Sequence, residues 1–404
     1  MKKLPGYLKT VIILFALILV TGLPALSPRL CDWYTDHIYG ILCDAVSHIT
    51  GLFPFAVGEI IMYLGIVLLM AGIVLLLLLI FLRKKPGYRR VVKKFFQSFS
   101  IALLVVVLIY MPTWFVPFCG TVLGQGNPEL RTTFTYEEIS ELLNYVVQEG
   151  NAAAEEIAVG EDGSVTFRST EENRALVIKA MQDLGAEFPR LKGYYPPVKT
   201  ALCSDVLDRM GIGGYNYPYT MEPTHNRYMS PMWMPVLEAH EYSHHKGYYK
   251  ENEANLLSVL ALSRSGDPYL RLAAFMEMYD YLYQDYICAM DQILDQKIAA
   301  GEITDWPEQI QTKEDIVKRA RIYSEIFGPE PEFTDRVYRI YAAAAEEEQA
   351  IYEEDSHPID NMPAVNEVIT ETADTGWKVQ GDILQENSYD GVTLLLLQYF
   401  YGEE

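Results

Sequence analysis

Three stretches, at positions 8–26, 60–82 and 99–118, are each apolar over about 19 to 23 residues, and they restrict the fold of this chain more than any other feature. In hydrocarbon no water is available to the backbone, so an apolar stretch of this length satisfies its own N–H and C=O groups as a helix. At about 1.5 Å per residue, such a helix crosses the roughly 30 Å core of a bilayer. Residues 1–128 therefore read as a membrane region with three transmembrane helices, and residues 129–404 as one further domain, large enough to bury its own core. Glu59, at the edge of the second stretch, is expected to snorkel to the interface.

Basic residues set the orientation. Lys2, Lys3 and Lys9 precede the first stretch, and Arg83, Lys84, Lys85, Arg89, Arg90, Lys93 and Lys94 crowd the loop between the second and third. Positive charge beside a span stays on the cytoplasmic side, so both segments belong inside. The 28–53 loop, with Asp32, Asp36 and Asp44 against Arg29, belongs outside, as does everything after Phe118. The first stretch also has the basic start and apolar centre of a signal peptide, but Pro24, Leu26 and Pro28 make a poor cleavage site. Either way the large domain is expected on the extracytoplasmic face of the cell membrane.

Charge divides sharply along the chain. Residues 1–128 hold 11 basic and 4 acidic residues, a net of +7, and the remainder holds 21 basic and 50 acidic, a net of −29. Such a surface repels nucleic acid, which argues against a nucleic-acid partner and favours a basic or neutral substrate. Of the five cysteines, Cys31 and Cys43 share the expected external loop and are placed to pair, and no two have a metal-ligand spacing.

Chemistry concentrates at His240-Glu241-Tyr242-Ser243-His244, which is followed by Gly247 and Glu251-Asn252-Glu253-Ala254-Asn255. Three of the seven histidines fall within these first positions and the adjoining His245. Pro231 or Pro235 as a first-turn residue, apolar and histidine positions at spacings of three and four, and Gly247 as a stop predict a helix. On a helix, positions 240 and 244 lie one turn apart on one face, so two imidazoles can hold one Zn²⁺ with Glu241 beside its water. A catalytic zinc keeps three protein ligands and an open fourth position. If 249–262 is a second helix, Glu251, Asn255 and Ser258 share a face. Glu253 then points about 160 to 200° away. Glu251 is the better-placed third ligand, with Glu253 the alternative and His245 about 100° off the ligand face. Asn255 can then hydrogen-bond a ligating imidazole, leaving Glu253 an ordinary solvated carboxylate or one that supports a ligand from behind.

The stretch Gly213-Gly214-Tyr215-Asn216-Tyr217-Pro218-Tyr219-Thr220, then Asn226, then 238–247 and 251–255, resembles an uncharacterised bacterial family of membrane-anchored proteins classed by motif as zinc metallopeptidases. The matching block covers about 195 to 285, and the family's plan of a few N-terminal spans before one HExxH domain is the plan of this chain. Glu251-x-x-Ala254-Asn255 is also similar to the glutamate-ligand helix of gluzincins, whose last position is more often Asp; Asn255 departs from that pattern. The resemblance implies a metallopeptidase fold and zinc and supplies no substrate.

Periodicity and capping residues predict further helices at 135–157, 170–184, 268–297, 313–327 and 333–354, a loop at 355–364 and a packed terminal helix at 392–401. The alternation at 215–220 predicts an exposed strand of the kind that borders a peptide cleft, which makes Tyr217, Tyr219, His225, Arg227 and Tyr228 candidates for holding substrate. The fold expected is mainly α: three transmembrane helices, then a largely helical, zincin-like domain with a small β element at the site. The function expected is a membrane-anchored zinc-dependent hydrolase, most concretely a metallopeptidase on peptides or cell-wall peptides. A cell-wall peptide amidase and a catalytically silent zinc-stabilised receptor or scaffold are the alternatives. Nothing in the sequence sets an oligomeric state.

The charge distribution generates a topology test. Tags at Gly124 and at Glu404 should both be cut by a protease added to intact cells, whereas a tag in the 83–94 segment should be protected. The reverse pattern would invert the orientation.

Overall fold

The computed structural model of the chain describes residues 4–124, 130–307, 309–355, 357, 362, 366, 369–370 and 388–402. Among the described residues, three helices are long and apolar enough to cross a membrane: Gly6–Leu26, Val57–Leu82 and Pro86–Phe118, of 21, 26 and 33 residues. Their Leu, Ile and Val side chains are largely exposed, from Ile12 and Leu19 to Leu76 and Val105. Apolar surface on this scale is stable only against lipid, and the chain is a membrane protein. The third helix begins at Pro86, so Arg89, Arg90, Lys93 and Lys94 lie on its first turns and not in a loop as expected. Proline suits a first helical turn, and Arg and Lys are good helix formers, so the helix starts before its apolar part.

The segment between the first two spans is also helical. Pro28–Tyr34 (α2) and Gly40–Thr50 (α3) are joined by a wider turn, Thr35–Tyr39. Cys31, Thr35, Tyr39, Cys43 and Ser47 form one buried stripe at every fourth position. On a regular α-helix that spacing drifts by about 40° per step, and the wider turn winds it back. The stripe also corrects the expected disulfide: all five cysteines are free. The Cys31 thiol donates to the carbonyl of Pro24 and that of Cys43 to the carbonyl of His245.

Beyond the spans lies a helical body. Tyr136–Glu156 (α7) packs along Pro268–Ala299 (α12), and Met234–His245 (α10) and Glu251–Ser263 (α11) complete the core with Leu142, Leu143, Leu257, Leu260, Leu270 and Ala273 fully buried. Capping boxes start α7 (Thr135 with Glu138) and Thr170–Leu184 (Ser169 with Glu172), which is why these starts are legible in the sequence. The C-terminal helix Ser388–Tyr401 buries Val392, Leu395, Leu396 and Leu397 against this core. A three-stranded sheet has the order β1-β3-β2: Lys199–Thr200 (β1) runs parallel to Glu222–His225 (β3), and Gly214–Tyr217 (β2) runs antiparallel to β3 at the edge.

Charged side chains lock this sheet onto the spans. Glu222 of β3 accepts the backbone N–H groups of Val57 (3.0 Å) and Gly58 (2.8 Å), the first residues of the second span. Lys199 of β1 pairs with Glu222 and donates to the carbonyl of Thr50, the last residue of α3, at 2.8 Å. A carboxylate at a helix N-terminus and an ammonium at a helix C-terminus are each favoured by the helix dipole. Glu59 does not snorkel. It is 0% exposed and accepts from Leu202 and Cys203 N–H and from the Tyr63 hydroxyl. Three donors replace the water it gives up, so the carboxylate stays buried where the sequence alone suggested exposure.

Removing one partner of the Lys199–Glu222 pair should leave a buried charge. Lys199→Met is expected to cost about 3–5 kcal/mol, against about 0.5 kcal/mol or less for Lys179→Met in the exposed Lys179–Asp183 pair. Thermal denaturation of both variants in detergent checks this, and equal losses would refute the clamp.

Candidate metal centre

The helix α10 opens with Pro235 in its first turn and stops at Gly247, whose φ of +88° only glycine adopts without strain. A Cβ there would also strike Thr35 Cγ2 at 2.8 Å, so the turn is tight against the wider turn between α2 and α3 as well. The three-residue reversal that follows, Tyr248 to Lys250, lets α11 start at Glu251 and brings its first turn against the last turn of α10.

Ligand atoms of His240, His244 and Glu251 lie within 4.8 Å of one another. Glu251 Oε2 is 3.2 Å from His240 Nε2 and 3.6 Å from His244 Nε2. Donors about 2.0–2.1 Å from a tetrahedral ion stand about 3.3 Å apart, so the spacing fits a zinc-sized ion. Both rings are oriented through their other nitrogen. His240 Nδ1–H donates to Asn255 Oδ1 at 2.7 Å, and His244 Nδ1–H donates to the carbonyl of Tyr248 at 2.8 Å. This leaves each Nε2 lone pair facing the cluster.

Glu241 stands beside them, 3% exposed, with Oε2 lacking any hydrogen-bond partner. Burial raises its carboxyl to about 7, against the opposing pull of His244 and His240. Burial likewise raises Glu238 and Glu253 to about 7. Glu251 behaves oppositely: burial would raise it, but the imidazoles of His244 and His240 hold it well below the usual carboxylate range. One charged acceptor at the cluster and one poised proton acceptor beside it are the parts that general-base hydrolysis uses.

The structure gathers His240, Glu241, His244, Glu251 and Asn255 and turns the other candidates elsewhere. Glu253 accepts the N–H of Leu123 at 2.7 Å. His245 is buried with a ring nitrogen 3.4 Å from Cys43 Sγ. Tyr217 is buried and Tyr219 donates to the carbonyl of Gly58. His225 bonds Thr200 Oγ1 and the carbonyl of Asn226, and Arg227 and Tyr228 both reach Asp355. Neighbours of the cluster that the sequence did not single out for a role are Gly214, Tyr215 and Tyr249. A Cβ on Gly214 would meet Glu241 Oε1 at 2.6 Å and the carbonyl of Thr224 at 2.7 Å. The half-exposed Tyr215 lies within electrostatic reach of Glu241, and the Tyr249 ring stacks on His244 with centroids 6.1 Å apart. The Gly213-Gly214 pair was the available signal, since glycine in a strand marks a close approach.

Gly214→Ala should therefore force β2 away from Glu241. Overpacking against backbone costs about 1–3 kcal/mol, read as a lowered denaturation midpoint, whereas Gly163→Ala, with open space around it, should show no steric loss beyond its turn strain. A midpoint unchanged by Gly214→Ala would remove this contact from the site.

Comparison with known proteins adds membership and no activity. No curated protein and no solved structure matches the chain. A family model matches residues 34–349, which takes in the wider turn and α3, two of the spans, the sheet and the His/Glu cluster together. The chain belongs to the family described as Protein of unknown function (DUF3810).

Proposed function

We propose that this protein is a membrane-anchored, zinc-dependent hydrolase of the metallopeptidase type, with its catalytic domain on the extracytoplasmic side and peptides or cell-wall peptides as substrates. The observation that carries this reading is the position of Glu251 Oε2 within 3.6 Å of both Nε2 atoms while an unpaired carboxylate oxygen of Glu241 is buried alongside. His240, His244 and Glu251 would hold the ion. Bound there, Zn²⁺ would supply Lewis acidity toward a carbonyl and would acidify a water.

The remaining work falls to the chain's own residues. Glu241, raised by burial to about 7 and so poised to gain and lose a proton, takes a proton from the attacking water and delivers it to the leaving amine. The low polarity around it makes that transfer favourable, because burial penalises the charged carboxylate and strengthens it as a base. Asn255 and the Tyr248 carbonyl hold both imidazoles in the tautomer that presents Nε2. Gly214 leaves room for the Glu241 carboxylate, and β2 supplies an edge for an extended substrate.

Purified full-length protein should contain about one Zn²⁺ per chain, lost on chelation and lost in His240→Ala and His244→Ala. Glu241→Gln should keep the metal while hydrolysis of a mixed peptide library, or of cell-wall peptides, falls by about 10² to 10⁴. Metal content comes from elemental analysis and turnover from mass spectrometry of the products. A zinc-free parent would defeat the site assignment, and a zinc-loaded parent inactive on both substrate sets would favour the scaffold.

A further inference from the structure

The outer end of the third span carries a column of stacked rings, Tyr110 on Trp114 at 5.0 Å and Trp114 on Phe118 at 4.4 Å. Aromatic residues at the end of an apolar span mark the level of the membrane–water interface. The His240–His244–Glu251 cluster lies beside that column. Tyr249, whose ring is within 11° of parallel to that of His244, donates to the carbonyl of Thr113 at 2.7 Å and meets Trp114 edge-on at 6.1 Å. Lys250, immediately before Glu251, places its ammonium 3.5 Å from the ring centre of Phe118. One aromatic ring thus separates a candidate metal ligand from the interfacial residues.

The same level holds the edge strand. Among the described residues the outer side of β2 has no strand partner. Tyr215 of β2, 48% exposed, is within electrostatic reach of both Glu241 and Tyr110. Tyr217 packs on Gly58 in the first turn of the second span, and the Tyr219 hydroxyl donates to the Gly58 carbonyl at 3.2 Å. A chain hydrogen-bonded along β2 would therefore run at the outer ends of two spans, and an unpaired strand edge recognises extended backbone in preference to lipid.

Resting on the hydrolase reading above, we propose that the substrate is a polypeptide tethered to the same membrane, cut in the short extended segment where it leaves the bilayer. At about 3.3 Å per residue, a segment of roughly ten residues or fewer spans the distance from the headgroups to a site at this level. A free peptide reaches the same site only by three-dimensional search, without the high local concentration that a shared membrane supplies.

The test uses full-length, zinc-loaded protein in proteoliposomes. One randomised ten-residue segment is presented free in solution, fused directly to a single-span anchor, and fused to that anchor through a flexible linker of about 30 residues. The directly anchored form should be cut at least tenfold faster than the free form, at bonds within the segment next to the bilayer. Equal rates for free and anchored forms would overturn the substrate class and leave the hydrolase intact, whereas no cleavage of any form would overturn both. Release of lipid products without chain cleavage would reassign the substrate to lipid. An arm independent of activity labels Tyr215→Cys in a Cys288→Ser background, since Cys288 is the exposed native thiol. Headgroup-proximal brominated lipid should quench that label; quenching by aqueous iodide alone would place the site above the membrane and overturn the proposal.

Discussion

The Glu222 carboxylate, buried between the start of the second span and the Lys199 ammonium, is the interaction from which the placement of the site follows. It terminates α3 and initiates the second span through one ion pair, with Lys199 on the Thr50 carbonyl and Glu222 on the Val57 and Gly58 amides. Because Glu222 belongs to β3, the pair fixes β3 against the membrane segment. The ladder from β3 to β2 then fixes Gly214 against Glu241. A carboxylate 0% exposed, Glu59, secures the 202–203 backbone in the same way. Neither contact resembles a flexible tether between an anchor and a domain, and the family match beginning at residue 34 is consistent with one continuous unit.

Around the cluster, electrostatics sorts like side chains into different roles. Glu238, Glu241, Glu251 and Glu253 lie within sixteen positions of sequence and all are at least half buried. Three are raised to about 7 by loss of water, and the fourth is held low because two imidazoles face it. Identical chemistry in the sequence thus becomes one charged acceptor and several protonatable ones, and only the direction each helix face takes decides which is which.

Several elements were readable from particular residues. Thr135, Ser169 and Asp267 announced helix starts because a cap is a local hydrogen bond between neighbours in sequence. His240, His244, Glu251 and Asn255 could be grouped because helical spacing is also local, once Gly247 was read as a helix stop. Glu59, Cys31 and Cys43 were misread because their partners, at residues 202–203, 24 and 245, are set by packing and not by spacing. Tyr249 gave no signal at all: an aromatic after a glycine looks the same whether it faces core, solvent or a histidine of the cluster.

The sequence by itself determined that three helices are long and apolar enough for a bilayer, that two imidazoles share a face, and that the body is helical. All three rest on periodicity and length, which survive without knowledge of distant contacts. Only the tertiary structure decided that Glu253 turns away to Leu123, that Gly214 packs closely against the Glu241 carboxylate, and that the cluster sits beside Thr113 and Trp114. Glu253 and Leu123, like the cluster and Thr113, are more than a hundred positions apart, and only the shared burial of the α2–α3 stripe, the span ends and the sheet brings such residues into contact.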